Sequence, residues 1–474
     1  MYWVAALFAT LLTTLSGRYG YHRDELYFLA AGHRMAWGYP DQPPLVPLLA
    51  RTMSAIDPNS LMVLRIPATL AATAVVLCAG LMARELGGGR AAQTLSAGAA
   101  AAAPLLYGAG HLLSTTVFDL MLWSLIVLLT LRLLRPEPDP RWWLAIGVLS
   151  GLALQNKALA ALPLLALAVA LALTGSRKIF ATRYFPLAIV IAALIFAPYL
   201  RWQAEHGWPQ WTVARSIAAG SSGTSNSPIQ FVLLQFGLVG PLLVPLWGFG
   251  LWWLARQARY RAFALTYAVL FLFYLCTGGK AYYLGGMYPV LAAAGAVALI
   301  DRLTSTRIRR AATGSVIAAN ALVGAILFLP VLPISMLRGT PVLAIDYDAG
   351  ETIGWPRFVT QVADIRARVA PGAGILTGNY GEAGAIERFG AGLPTPHSVQ
   401  NSYWWWGPPA DSETVLVLGF SATQLDRFCI APEPVGRIDD GVGIHNDEQG
   451  KQVYLCRTPR QPWQDSWFAM RRLG

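Results

Sequence analysis

Between Tyr19 and Leu49 the chain reads YGYHRDELYFLAAGHRMAWGYPDQPPLVPLL, so that Asp24 and Glu25 follow directly on the first apolar run. A carboxylate so placed can take a proton from an attacking hydroxyl. It can equally well favour the positive end of a helix dipole from the first turn, and the two residues alone do not separate these roles. Adjacent helical residues point roughly 100° apart, so one can act on an atom while the other orients a neighbour. Asp119 in HLLSTTVFDLMLWS falls just inside an apolar segment, where an ionisable group is costly and marks a functional position. Lys157 in LALQNKALAALPL and Lys280 in TGGKAYYLGGMYP stand at the ends of other apolar runs, the second followed by Tyr282 and Tyr283. A lysine there can simply snorkel to water. Two carboxylates and two ammonium groups gathered at one face of a membrane would instead make a cleft for an anionic lipid headgroup. His22, His33 and His111, with Asp24 and Glu25, are the candidates for a divalent metal ion. Their spacing closes no structural zinc site, and whether a metal is needed is open.

The elements that must position these groups are membrane helices. The 474 residues are 55% hydrophobic and 13% charged, far too apolar for a soluble chain of this size. Eleven apolar runs are long enough, or nearly so, to cross a bilayer: 2–16, 61–83, 91–107, 115–134, 142–156, 158–174, 184–201, 229–254, 262–276, 283–300 and 311–330. The first has neither the basic flank nor the cleavage site of a signal peptide. With the amino terminus inside, the inner loops hold fifteen of the 24 basic residues of 1–330, which puts Tyr19–Ser60 and everything after residue 330 outside. The net charge of +11 is therefore a topology signal and no nucleic-acid footprint: residues 1–330 carry 24 basic and 10 acidic side chains, residues 331–474 carry 12 and 15. In the first outer loop, DELYFLAAGHRMAWG and PPLVPLLARTMSAI have the spacing of two amphipathic helices at the membrane surface.

The ordered set of motifs, DE in the first outer loop, PPLVPLL, FDLML, the NK hairpin and GGKAYYLGGMYP, resembles the GT-C superfamily of membrane glycosyltransferases. Within it the set resembles the bacterial family-39-like proteins related to protein O-mannosyltransferases and lipid A aminoarabinose transferases. The resemblance runs through residues 18–300. It implies a polytopic GT-C domain over 1–330 and a sugar moved with inversion from a polyprenyl-phosphate donor to a lipid, glycan or protein hydroxyl outside the cytoplasm. By it Asp24 matches the catalytic acid of the first loop, Glu25 and Asp119 match accompanying acidic positions, and Lys157 and Lys280, beside Tyr282 and Tyr283, would face the donor phosphate. It implies a bacterial inner membrane as the location. Nucleotide sugars are not available outside that membrane, so a donor delivered in the bilayer is also what physical reasoning requires. A transporter or flippase of a lipid-linked sugar is the competing reading; it would show paired discontinuous helices and charge at mid-span.

After residue 330 the composition is that of a soluble protein. GILTGNYG, TVLVLGF and QVYLCR read as strands, the first two each followed by a helix, so that 331–474 forms a small α/β domain on the outer face. Cys429 and Cys456 could pair there in an oxidising compartment. The Tyr403–Trp406 aromatic run fits docking or membrane contact better than sugar stacking. AAGSSGTSNS, 218–227, is a low-complexity loop.

Overall fold

The computed structural model describes residues 1–218, 226–410 and 413–473; most of the low-complexity loop lies outside them. The chain is a multi-pass membrane protein. Each of the eleven apolar runs is helical, but they do not form eleven equal spans. Among the described residues five helices are long and apolar enough to cross: Leu61–Glu85, Thr115–Leu133, Tyr184–Glu205, Ala281–Thr304 and Arg307–Phe328. Tyr2–Leu15, Ala158–Leu173 and Arg261–Thr277 are apolar but shorter.

Two of the expected spans are broken, and the sequence explains both. The first run of small residues ends as a helix at Ala101, and a new one starts at Pro104, where a first turn needs no proline N–H. The second divides at Gly240, whose φ of 94° is open to glycine alone at little cost, and Pro241 follows. The halves Pro228–Val239 and Pro241–Arg256 meet at 83°. Breaks free backbone carbonyls that lipid cannot solvate. The buried Asn320 answers both, because its Nδ2 donates to Ala102 O at 2.9 Å and to Val239 O at 3.3 Å.

Both helices expected between residues 19 and 60 form, as Arg23–His33 and Leu45–Ile56. The second shows apolar side chains to the surroundings at Leu48 and Ile56, as an interfacial helix should. The first does not, since every residue from Glu25 to Gly32 is buried. It is covered by the Tyr380–Phe389 helix of the carboxy-terminal part, which crosses it closely: a Cβ on Gly384 would lie 2.9 Å from Leu26 Cβ.

That carboxy-terminal part holds a five-stranded sheet of β1 (Gly374–Thr377), β2 (His397–Ser398), β3 (Val415–Leu418), β4 (Glu433–Arg437) and β5 (Gln452–Cys456), in the order β2-β1-β3-β5-β4. β2, β1 and β3 are parallel; β5 and β4 add antiparallel. The three strands expected from the sequence are the central ones, with β1 and β3 buried throughout. The edge strands β2 and β4 lack that apolar signature and were not foreseen. A disulfide joins Cys429 to Cys456. Trp404 and Trp467 exchange indole N–H···O=C bonds, both of 2.8 Å. Arg34 lies 4.4 Å over Trp406. The aromatic run is thus a docking element.

Candidate active site

The site is built around the start of the Arg23–His33 helix. Glu25 sits in its first turn and its side chain is fully buried. Its Oε1 accepts from Arg65 Nε at 2.8 Å and from Leu113 N at 2.9 Å, and its Oε2 from Arg65 Nη2 at 2.8 Å and from His22 N at 2.9 Å. Every acceptor position of the carboxylate is therefore taken. Burial alone would raise its pKa, but Arg65 and the two backbone donors reverse the sign and hold it ionised. Arg65 uses its other donors on Ser16 O at 2.8 Å and Gly20 O at 2.7 Å. One ion pair thus ties the end of the first helix, the first loop, the Leu61 helix and the 111–114 turn together. Glu25, counted with the catalytic acids in the sequence, reaches no substrate from this position. It anchors the helix that carries Asp24.

Asp24 points the other way, and 39% of its side chain is exposed. Its Oδ1 accepts from Tyr380 O–H at 2.8 Å. His22 is buried behind it, with Nδ1 3.9 Å from Asp24 Oδ2 and Nε2 3.6 Å from Asp348 Oδ1. Lys280 joins the same cluster: the charges of Asp24, Asp348 and Arg23 all act on it. Lys157, at the turn after the Trp142–Asn156 helix, in turn feels Asp119 and Lys280. Its Nζ lies 5.0 Å from the Tyr282 ring centre and 4.4 Å from that of Tyr283, within cation–π range. Asp119 lines a cleft with Trp123 and Tyr283. On the far side of the 281–287 segment lies an apolar cavity lined by Leu105, Leu120, Trp247 and Tyr288 among others. The four charged residues picked from the sequence thus form a linked series at one end of the bundle. Glu85, Arg132 and Arg135, from loops read as inner, pair with each other instead.

The five metal candidates do not converge. Glu25 is saturated, His33 stands exposed at the far end of its helix, and His111 turns Nδ1 toward Tyr107 O at 3.2 Å. Among the described residues no three His, Cys, Asp or Glu side chains could hold a metal ion together. No step below is routed through one.

Three contributors were missed in the sequence. Arg65, an arginine inside an apolar span, should have been flagged by the rule that flagged Asp119. Asp41, from GYPDQPPL, is half-buried and accepts from Tyr27 O–H at 2.7 Å and Asn401 Nδ2 at 3.1 Å. Burial pushes it up to about 6 against those hydrogen bonds. Tyr380 carried no local signal at all.

The carboxy-terminal part reaches the Arg23–His33 helix along its length. Arg23 pairs with Asp447 at 3.1 Å, and Arg34 makes two bonds to Glu387 at 3.0 and 2.9 Å. Beneath Arg23, Glu448 is pushed up to about 8 by burial and by the charges of Glu351 and Glu382. A carboxyl raised in the folded state contributes stability that is fully present below its ordinary value of 4.5 and is lost as pH rises through about 8. The melting temperature accordingly falls between pH 6 and pH 9. Glu448→Gln removes much of that slope and raises the pH 9 midpoint by about 5 °C, as differential scanning fluorimetry would show.

Residues 41–202 match the family model described as dolichyl-phosphate-mannose-protein mannosyltransferase. That stretch contains Asp41, Arg65, Asp119 and Lys157 but neither Asp24 nor Lys280. No curated protein matches the chain. Among solved structures, ArnT from Cupriavidus metallidurans in the apo state superposes with a TM-score of 0.63 at 14% identity, over 95% of this chain and 97% of that one. ArnT bound to undecaprenyl phosphate gives 0.59 at 14%, with the same coverage. The arabinofuranosyltransferase AftD from Mycobacteria gives 0.53 at 15%, over 95% of this chain and 41% of its own. With the helical bundle and the docked sheet both present, the chain shares the fold of ArnT, and its residues 41–202 match the mannosyltransferase family model.

Proposed function

We propose that the protein is an inverting glycosyltransferase that moves a sugar from a polyprenyl-phosphate donor to an acceptor hydroxyl at the outer face of a bacterial inner membrane. The observation that carries this reading is the accessible Asp24 at one end of a charge series that runs through Lys280 and Lys157. The acceptor oxygen attacks the anomeric carbon as Asp24 takes its proton. The bond from that carbon to the phosphate oxygen breaks, and the leaving polyprenyl phosphate keeps the electron pair. Lys157 and Lys280 neutralise the charge that grows on it, and Tyr282 and Tyr283 wall the site. The undecaprenyl phosphate bound to ArnT supports a lipid phosphate as the carrier. The Cys429–Cys456 disulfide supports an oxidising compartment for the carboxy-terminal part, and with it the outward orientation.

Purified protein incubated with radiolabelled polyprenyl-phosphate sugars and a membrane extract should transfer label to a new product. Lys157→Met or Lys280→Met should each lower kcat/KM for the donor by about 100-fold. Movement of intact donor across liposomes, with no product, would establish the flippase reading instead.

A further inference from the structure

Tyr380 lies 356 residues beyond Asp24 in the chain, yet its hydroxyl ends 2.8 Å from Asp24 Oδ1. Its place is over-determined. It is the first residue of a helix whose N-cap, Asn379, closes a capping box with Glu382. Its backbone N–H donates to Gln400 Oε1 at 3.2 Å. Its ring packs against Tyr27 with centroids 4.8 Å apart. Gly381 and Gly384 let the helix approach this closely, since a Cβ on Gly381 would lie 2.8 Å from Arg23 Cβ. Burial and the charge of Asp24 push the phenol well above its ordinary value, so at Asp24 it serves as a donor.

The other oxygen of Asp24 lies 3.9 Å from Nδ1 of the buried His22, which also faces Asp348, and the charges of Asp24, Asp348 and Arg23 act on Lys280 nearby. A carboxylate on a helix surface turns about χ2 with little resistance. A hydrogen bond to one oxygen from a rigid partner removes that freedom and fixes where the second oxygen points. We propose that Tyr380 is a positioning residue for Asp24, so that the proton-accepting oxygen is aimed only while the carboxy-terminal domain is docked on the first outer loop. This inference rests on Asp24 being the base.

The test uses the full-length protein in detergent and two readouts. One is the pH dependence of kcat/KM for sugar transfer. The other, independent of activity, is the pH dependence of carbodiimide labelling at Asp24, read by mass spectrometry. Tyr380→Phe keeps the ring against Tyr27 and deletes the hydroxyl. It should lower kcat about tenfold, with the donor KM within about twofold. It should also move the acid limb of the rate profile and the labelling midpoint together to higher pH. Placing 3-fluorotyrosine at 380, a stronger donor of the same shape, should move both to lower pH. Unmoved midpoints in both variants overturn the inference, and so does a loss of rate in Tyr380→Phe with an unmoved midpoint, which is the mark of a merely structural tyrosine. A midpoint that moves in a protein whose wild type transfers no sugar keeps the contact and overturns the reading of Asp24 as a base.

Discussion

Asp24→Asn should reduce sugar transfer by about 10²- to 10⁴-fold in kcat while leaving the protein folded and able to bind donor. The amide has the shape of the carboxylate, and its oxygen can still accept from Tyr380. It cannot take a proton from the acceptor hydroxyl. Because Asp24 is part-exposed and Glu25 carries the structural load at this turn, the change costs little stability. Initial rates at saturating donor, set beside donor affinity from equilibrium binding, separate the two effects. A variant that transfers at a rate within threefold of wild type would remove Asp24 from the chemistry, and the base would then have to be sought among Asp119, Asp348 and Asp41.

The second large effect is on folding. Glu25→Gln or Arg65→Met breaks a pair in which the two side chains are 0% and 1% exposed. Leaving one member of a buried ion pair alone costs about 3–5 kcal/mol. In Glu25→Gln the amide nitrogen also turns a donor toward donors, whichever way it is flipped, since Arg65 and two backbone N–H groups fill both oxygens. The melting temperature should drop by about 5–10 °C, with poor recovery from membranes. The double variant Glu25→Leu with Arg65→Met should regain part of the loss, because no uncompensated charge remains. If Glu25→Gln instead melts like wild type and is inactive, Glu25 takes part in the reaction directly and its buried position here does not represent the working state.

How far the sequence could be read depended on whether a residue's role was local. The bundle was legible because an apolar helix announces itself by length and hydropathy. Asp24, Asp119, Lys157 and Lys280 were legible because charge at the end of an apolar run is expensive. Asn320 was not, since an asparagine in a helix gives no hint that it closes two breaks more than 80 residues away in sequence. The same limit hid Tyr380 and Asp41. Their importance lies in what the fold places opposite them. β2 and β4 were missed for a related reason: an edge strand needs no continuous apolar run.

The shared amide of Asn320 has a kinetic corollary. Because a single side chain holds the freed carbonyls at Ala102 and Val239, neither elbow can straighten or slide without stranding a peptide oxygen in hydrocarbon at the other. The two kinked segments are thereby coupled through one side chain, and both help to line the apolar cavity.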